Sequence, residues 1–294
     1  MDQHDQVEVL AAAIDRLIER GTSAGVTGVD PSLLEVADRL RRSAPQTMID
    51  PRARIKLRQR LIQSASFAVL RSVVLETAVG PLQVAYRGRA VCGVSLLTDR
   101  RTFAQRCLQR YGVQPVYDIE PPAWLVAAVR NHLEGRRGFK GEVDLLGLTP
   151  FQQQVLAKVR EIPRGEVRPY TWVAREIGLP KAVRAVGTAL RKNPIPLLIP
   201  CHRVVRSEGT LGDYAAGNPA LKERILRFEG VDLLALKRLR RLGKRFRGSR
   251  NTHIFCLPTC YSRKWAQERH TVYFASATEA RRAGYRPCKL CRPA

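Results

Sequence analysis

Four of the seven cysteines form two close pairs, Cys256-x3-Cys260 and Cys288-x2-Cys291, with twenty-seven residues between the pairs. No other feature restricts the fold so tightly. Tetrahedral zinc takes four soft ligands, and paired cysteines give it two chelate arms. The alternative is four incidental free thiols. His253 and His270 lie close by but are not needed to complete four ligands. Disulfides are not expected. The start, Met1-Asp2-Gln3-His4-Asp5, lacks the basic-then-apolar order of a secretory leader. No stretch approaches the roughly eighteen continuous apolar residues of a membrane span. The chain reads as soluble and cytoplasmic, with cysteines serving as thiols, metal ligands or nucleophiles.

Charge narrows the partner. Lys plus Arg is 51 against 26 for Asp plus Glu, a net +25. The excess is uneven. Residues 1–65 hold 10 basic and 9 acidic side chains, residues 66–230 hold 25 and 14, and residues 231–294 hold 16 and 3. Such a field expects a polyanion, because neutralised phosphates release condensed counterions. Anionic lipid and mere solubility are the alternatives. A hydrophobic fraction of 45% excludes wholesale disorder.

Periodicity divides the chain. Residues 6–20, 31–42 and 54–65 show helical spacing and form an appendage, 1–65. Strand patterns follow: Val69, Val73 and Leu75, then Leu82, Val84 and Tyr86 across the turn Val79-Gly80-Pro81, then Val91 to Leu97. Thr102 to Tyr111 and Pro122 to Glu134 read as helices, with Cys92 and Cys107 as small core residues. Thr149-Pro150 opens another helix. Thr171 to Ile177 and Lys181 to Arg191, joined by Gly178-Leu179-Pro180, have helix-turn-helix proportions, or those of an ordinary helical hairpin. Arg184 lies off the apolar stripe of the second helix, whose Ala182, Ala185, Gly187 and Ala189 allow a close approach to another surface. Residues 237–250 carry eight basic and no acidic side chains, as a linker or helix extension.

The stretch from Asn193 to Val205 carries the chemistry. Three prolines and an apolar run fix the approach to Cys201, and His202 follows directly. A thiolate is the nucleophilic form of cysteine, so Cys201 needs a base, and His202 is placed to act directly or through water. Alone, Cys-His also fits an inert buried thiol.

Pro200-Cys201-His202-Arg203-Val204-Val205, preceded by the Asn193 loop, resembles the active site of the O6-alkylguanine-DNA alkyltransferases, a likeness running from about residue 66 to 230. Tyr170 stands at the family's active-site tyrosine, with Thr171 beside it on the DNA side. Arg184 matches the arginine that fills the space of a flipped base. The run Gly212-Asp213-Tyr214-Ala215-Ala216-Gly217 looks like the guanine-pocket loop, and Glu229 matches the glutamate that orients the histidine. The resemblance implies a Glu229–His202–water–Cys201 relay. It also implies carbonyls near Val204 that receive the guanine amine, and irreversible single-turnover repair of double-stranded DNA by a monomer. The target base lies in a stack, so it has to be extruded. Ala215 stands where some members carry a hydrogen-bonding side chain.

Around the four cysteines, Ile254-Phe255-Cys256-Leu257-Pro258-Thr259-Cys260 and Ala283-Gly284-Tyr285-Arg286-Pro287-Cys288-Lys289-Leu290-Cys291 resemble the zinc domain of the Ada family. The resemblance implies zinc held by Cys256, Cys260, Cys288 and Cys291, with Cys256 as a candidate second methyl acceptor, from methylphosphotriesters. The expected architecture is α+β and multi-domain. A helical appendage (1–65) precedes a ribonuclease-H-like subdomain (66–146) and a winged-helix or helix-turn-helix catalytic subdomain (147–231). A basic linker (232–250) and the zinc module (251–294) follow. Two rivals are a damage-binding protein that flips bases without repairing them and a methylation-responsive transcription regulator. The first lacks the acceptor cysteine, and the second expects a regulatory helix-turn-helix that is not evident here.

Overall fold

The computed structural model describes residues 69–96, 99–136, 139–212, 214, 218–263 and 267–293. The three helical patterns of 1–65 lie outside the described residues. The described part is mixed α/β. It begins with an antiparallel meander, β1 (Arg71–Leu75), β2 (Leu82–Arg87) and β3 (Ala90–Ser95). The turn between β1 and β2 closes at Gly80, whose φ of 107° suits a residue without Cβ. Two short strands, β4 (Val116–Tyr117) and β5 (Glu142–Val143), add in parallel at opposite edges, giving the order β4-β1-β2-β3-β5.

Each face of this sheet is covered. Helix α1 (Arg100–Tyr111), capped by the Asp99 side chain, buries Phe103 and Cys107 against Leu70, Ala85 and Cys92. Both thiols are core, and burial pushes them up, to about 12 for Cys92 and about 11 for Cys107. Helix α2 (Ala123–Leu133) packs Leu125, Val129 and Leu133 into the larger core on the other face.

A helical cluster continues that core. Helix α3 (Pro150–Arg160) starts on a capping box in which Thr149 and Gln152 satisfy each other's backbone N–H groups, with proline at its first position. Strand β6 (Arg168–Pro169) leads into α4 (Tyr170–Glu176), and α5 (Val183–Arg191) follows. The expected start of α5 at Lys181 is two residues early. Ala182 N–H instead closes a turn onto the Leu179 carbonyl at 2.9 Å, so the helix begins after it. Gly178, at φ 78°, ends α4 with backbone bonds back to Arg175 and, from Leu179, to Ala174. Cys201–Arg203 forms one 3-10 turn before β7 (Val204–Val205), which pairs in parallel with β6. Helix α6 (Pro219–Phe228) ends at Glu229.

The basic segment is folded along most of its length. Helix α7 (Leu233–Arg241) buries Leu233, Leu236 and Leu239 and turns its cations outward. Its stripe packs with Val167, Val205 and Leu226. Residues 246–249 are β8 (Phe246–Ser249), inside a four-stranded sheet ordered β10-β8-β9-β11 with β9 (Ile254–Cys256), β10 (Thr271–Phe274) and β11 (Arg286–Pro287). Helix α8 (Ala277–Arg282), capped by Ser276, lies between β10 and β11. Among the described residues no helix is long and apolar enough to cross a membrane.

Candidate active site and metal centre

The loop into Cys201 is held from three sides. Ile195, Leu197, Leu198 and Ile199 are all buried. Leu197 has φ 76°, a left-handed conformation that costs a branched residue about 1–2 kcal/mol. Its carbonyl accepts a hydrogen bond at 3.0 Å from Nε2 of His132, on α2. A carbonyl only accepts, so Nε2 carries a proton. Burial holds its pKa down at about 4. From β3, Val94 N–H donates to the Pro194 carbonyl at 2.9 Å. From within the loop, Asn193 accepts from Ile195 N–H at 3.0 Å and donates through Nδ2 to the Ile199 carbonyl at 3.0 Å and to Cys201 Sγ at 3.1 Å. Asn193 thus ties the loop and the thiol together. Nothing in the sequence marked His132 out, because a lone histidine on a helix has no periodic or spacing signature.

Cys201 and His202 are both buried, at 8% and 0% exposure. Burial pushes the Cys201 thiol up, against the Asn193 hydrogen bond and the positive Lys222. The resting group is therefore a thiol. His202 Nε2 lies 3.0 Å from Glu229 Oε1. Arg203 grips the same carboxylate from two sides, Nε to Oε2 at 2.8 Å and Nη2 to Oε1 at 2.7 Å. Burial alone would raise Glu229. The bonds from His202 and Arg203 outweigh it and hold Glu229 at about 2. Burial lowers His202 against the pull of Glu229, leaving a neutral ring. Its Nδ1 is buried without a protein partner among the described residues. A neutral imidazole whose Nε2 faces a fixed carboxylate presents Nδ1 as a proton acceptor.

The remaining candidates surround this pair. Tyr214 stacks edge-on against His202 at 6.1 Å, and its hydroxyl is buried. Tyr170, at the start of α4, passes two glycines. A Cβ at Gly212 would lie 3.4 Å from its hydroxyl, and one at Gly187 would lie 3.8 Å from its ring. Arg184 is exposed in the first turn of α5, and Thr171 is exposed with its hydroxyl 3.2 Å from that of Ser207. The Val204 carbonyl accepts from Lys222 Nζ at 2.6 Å, and the Leu211 carbonyl accepts from the same ammonium. Ala215 lies outside the described residues. Sequence reasoning missed Lys222 and the clamp by Arg203. Lys222 is 1% exposed although lysine is ordinarily a surface residue, and no local pattern announces that.

The four paired cysteines come together. The Sγ atoms of Cys256, Cys260, Cys288 and Cys291 lie within 4.8 Å of one another, all in buried residues. Sulfurs of a tetrahedral zinc–thiolate site stand roughly 3.8 Å apart at ordinary Zn–S lengths, so the donor set fits that ion. Leu257 N–H points at Cys291 Sγ at 3.4 Å, and the Ser262 hydroxyl lies 3.1–3.7 Å from the sulfurs of Cys256, Cys260 and Cys288. These are the outer contacts that steady a thiolate ligand.

Comparison with known proteins agrees with both halves. Residues 150–231 match the family described as 6-O-methylguanine DNA methyltransferase, DNA binding domain, and residues 236–294 match the metal binding domain of Ada. The zinc assignment rests on that match and on the four-sulfur cluster. A methylated-DNA–protein-cysteine methyltransferase from Rattus norvegicus is 49% identical over 178 residues, covering 57% of this chain and 85% of its own. The Mus musculus protein is 51% identical over 82 residues, 28% of this chain and 39% of its own length. The chain thus spans well under half of that second relative. The O6-methylguanine methyltransferase structure from Mycobacterium tuberculosis is 32% identical, with 55% of this chain and 93% of that one covered at a TM-score of 0.45. On the extent of the likeness to the rat protein, the chain belongs to the methylated-DNA–protein-cysteine methyltransferases, with an Ada-type zinc domain following the transferase core.

Proposed function

We propose that this chain repairs double-stranded DNA by moving the alkyl group of O6-alkylguanine irreversibly onto Cys201. The observation that carries the reading is one carboxylate, Glu229, fixed by Arg203 and facing the ring that neighbours the thiol. In this reading residues 66–146 form the ribonuclease-H-like subdomain and 147–231 the winged-helix catalytic one. Arg184 fills the stack, and Tyr214 and the carbonyl near Val204 line the guanine pocket, with Thr171 on the backbone. The thiol proton passes through a water to His202 Nδ1. The S–C bond forms as the C–O6 bond breaks, the electron pair stays on guanine, and the Tyr170 hydroxyl protonates it. The product thioether has no leaving group at hand, so each molecule acts once, as a monomer working with chromosomal DNA inside the cell. Incubation with an O6-methylguanine duplex is expected to add one methyl to the peptide holding Cys201. Undiminished transfer by Cys201→Ala would overturn the assignment.

Cys256 is the candidate second acceptor. A methylphosphotriester is locally neutral, so a net negative zinc–thiolate centre meets less repulsion there than at an ordinary phosphodiester. Zinc, when bound, keeps the thiols ionised. A Cys201→Ala variant offered methylphosphotriester DNA without alkylated guanine is expected to gain a methyl on Cys256. Bound zinc and bound DNA with no methyl transferred would make the module structural only.

A further inference from the structure

The contacts that join the zinc module to the transferase come from its two ligand loops. The indole N–H of Trp172, on α4, donates to the carbonyl of Cys291, itself a ligand, at 2.9 Å. The next residue, Arg292, accepts from Arg175 through its carbonyl, pairs with Glu176 at 2.9 Å, and stacks its guanidinium 5.8 Å from the Trp172 ring. On the other loop, Thr259 and Tyr261 flank the ligand Cys260. Thr259 Oγ1 accepts from Val167 N–H at 2.9 Å and donates to the Val167 carbonyl at 3.3 Å. Tyr261 N–H donates to Glu166 at 3.0 Å. Trp172 is 4% exposed, and it shares one continuous core with Leu257 and the four cysteines.

The receiving residues, 166–176, form a single stretch. It is β6 and α4 with the two residues before β6, and it carries Tyr170 and Thr171 between the contact points. The giving loops are short, and what sets their shape is the requirement that four sulfurs converge on one ion. We propose that the zinc site is a clasp: metal in the four-cysteine centre shapes the two loops, and the loops hold β6 and α4 in place beneath the alkyl-transfer site. Its last link, from α4 to chemistry, rests on the proposed role of Tyr170 in that transfer. By reciprocity, whatever zinc contributes to the order of 166–176, that stretch contributes to zinc affinity.

The test uses the full chain. Zinc is withdrawn with a chelator, and amide exchange is followed in 166–177 and, for reference, in 71–87 of the five-stranded sheet. Exchange in 166–177 is expected to rise about tenfold or more, with 71–87 unmoved. The converse arm uses Trp172→Phe and Thr259→Val, which leave all four sulfurs in place. Each is expected to weaken zinc about tenfold in competition with a chromophoric chelator, since a buried polar group loses its partner. Unchanged exchange in 166–177 overturns the clasp, as does unchanged zinc affinity in the variants. A rise that includes 71–87 overturns it too, by showing general unfolding. If Trp172→Phe does not fold, Thr259→Val carries the converse arm. None of these readings needs alkylated DNA, so failure of Cys201 to take up a methyl leaves them standing.

Discussion

His132 shows how a residue with no chemical role shapes the site. It supports the strained Leu197 from α2, through the bond from Nε2 to the Leu197 carbonyl. The unfolded ring takes a proton near its ordinary 6.5, but the folded one resists until about 4. Between those values the unfolded state binds more protons, so stability falls as pH falls, by roughly 3 kcal/mol across the window. His202 is shifted in the same direction. His132→Gln, which still offers an N–H, is expected to flatten the slope of unfolding free energy between pH 6.5 and 4 without abolishing it. A slope equal to the parent's in denaturant titrations would remove His132 from this account. Glu229 works in a lower window. Its stabilisation is complete above its ordinary 4.5 and is lost as pH falls toward about 2.

At the scale of elements, α4 and α5 divide the labour. Helix α4 is buried through Trp172, Val173 and Ala174, while α5 leaves Arg184 exposed in its first turn. If Arg184 acts by replacing a stacked base, it matters only while a stack exists. Arg184→Ala is expected to slow transfer from duplex DNA roughly ten- to hundredfold, for a few kcal/mol of lost stacking. Transfer from free O6-benzylguanine base should be unaltered. Equal losses on both substrates would place Arg184 in the pocket or the fold instead. These helices were legible because apolar spacing and the Gly178 stop are local signals. So were the four paired cysteines, whose spacing is itself the chemistry, whereas Cys201 and His202 stood out through the resemblance of Pro200 to Val205 to a known active site. Tertiary substitutes for local pattern were not legible. The Lys222 ammonium on two carbonyls and Arg203 on Glu229 join segments 26 residues apart or fewer, yet neither leaves a period or a spacing. The basic segment, read as a linker or a helix extension, was legible only in part. Its charge density resembles a solvated linker, and only Leu233, Leu236 and Leu239 at helical spacing betray a packed helix.

For the molecule as a whole, charge and shape meet at one place. A cavity of about 280 Å³ opens where β6, α4, α7 and the zinc module meet, with Thr171, Ser207, Arg206, Arg240 and Arg245 among its lining. Residues 251–294 supply 8 cations against 2 acids, so the module adds to the field rather than merely tolerating it. Replacing Arg240 and Arg245 with alanine is expected to lower the log–log salt slope of DNA binding by about 0.9 for each phosphate that is no longer neutralised. A slope identical to the parent's would mean that these side chains face only water.

The position of Trp172 also bears on how such a chain could be shortened over evolutionary time. Its indole is closed off by cations from both sides of the junction, Arg168 at 5.6 Å and Arg292 at 5.8 Å. Losing the C-terminal module would strand an aromatic ring and its apolar neighbours on the surface. A lineage that discards the module must therefore resurface this helix at the same step, with a polar side chain in place of the tryptophan. The two genetic events are bound together by a single ring.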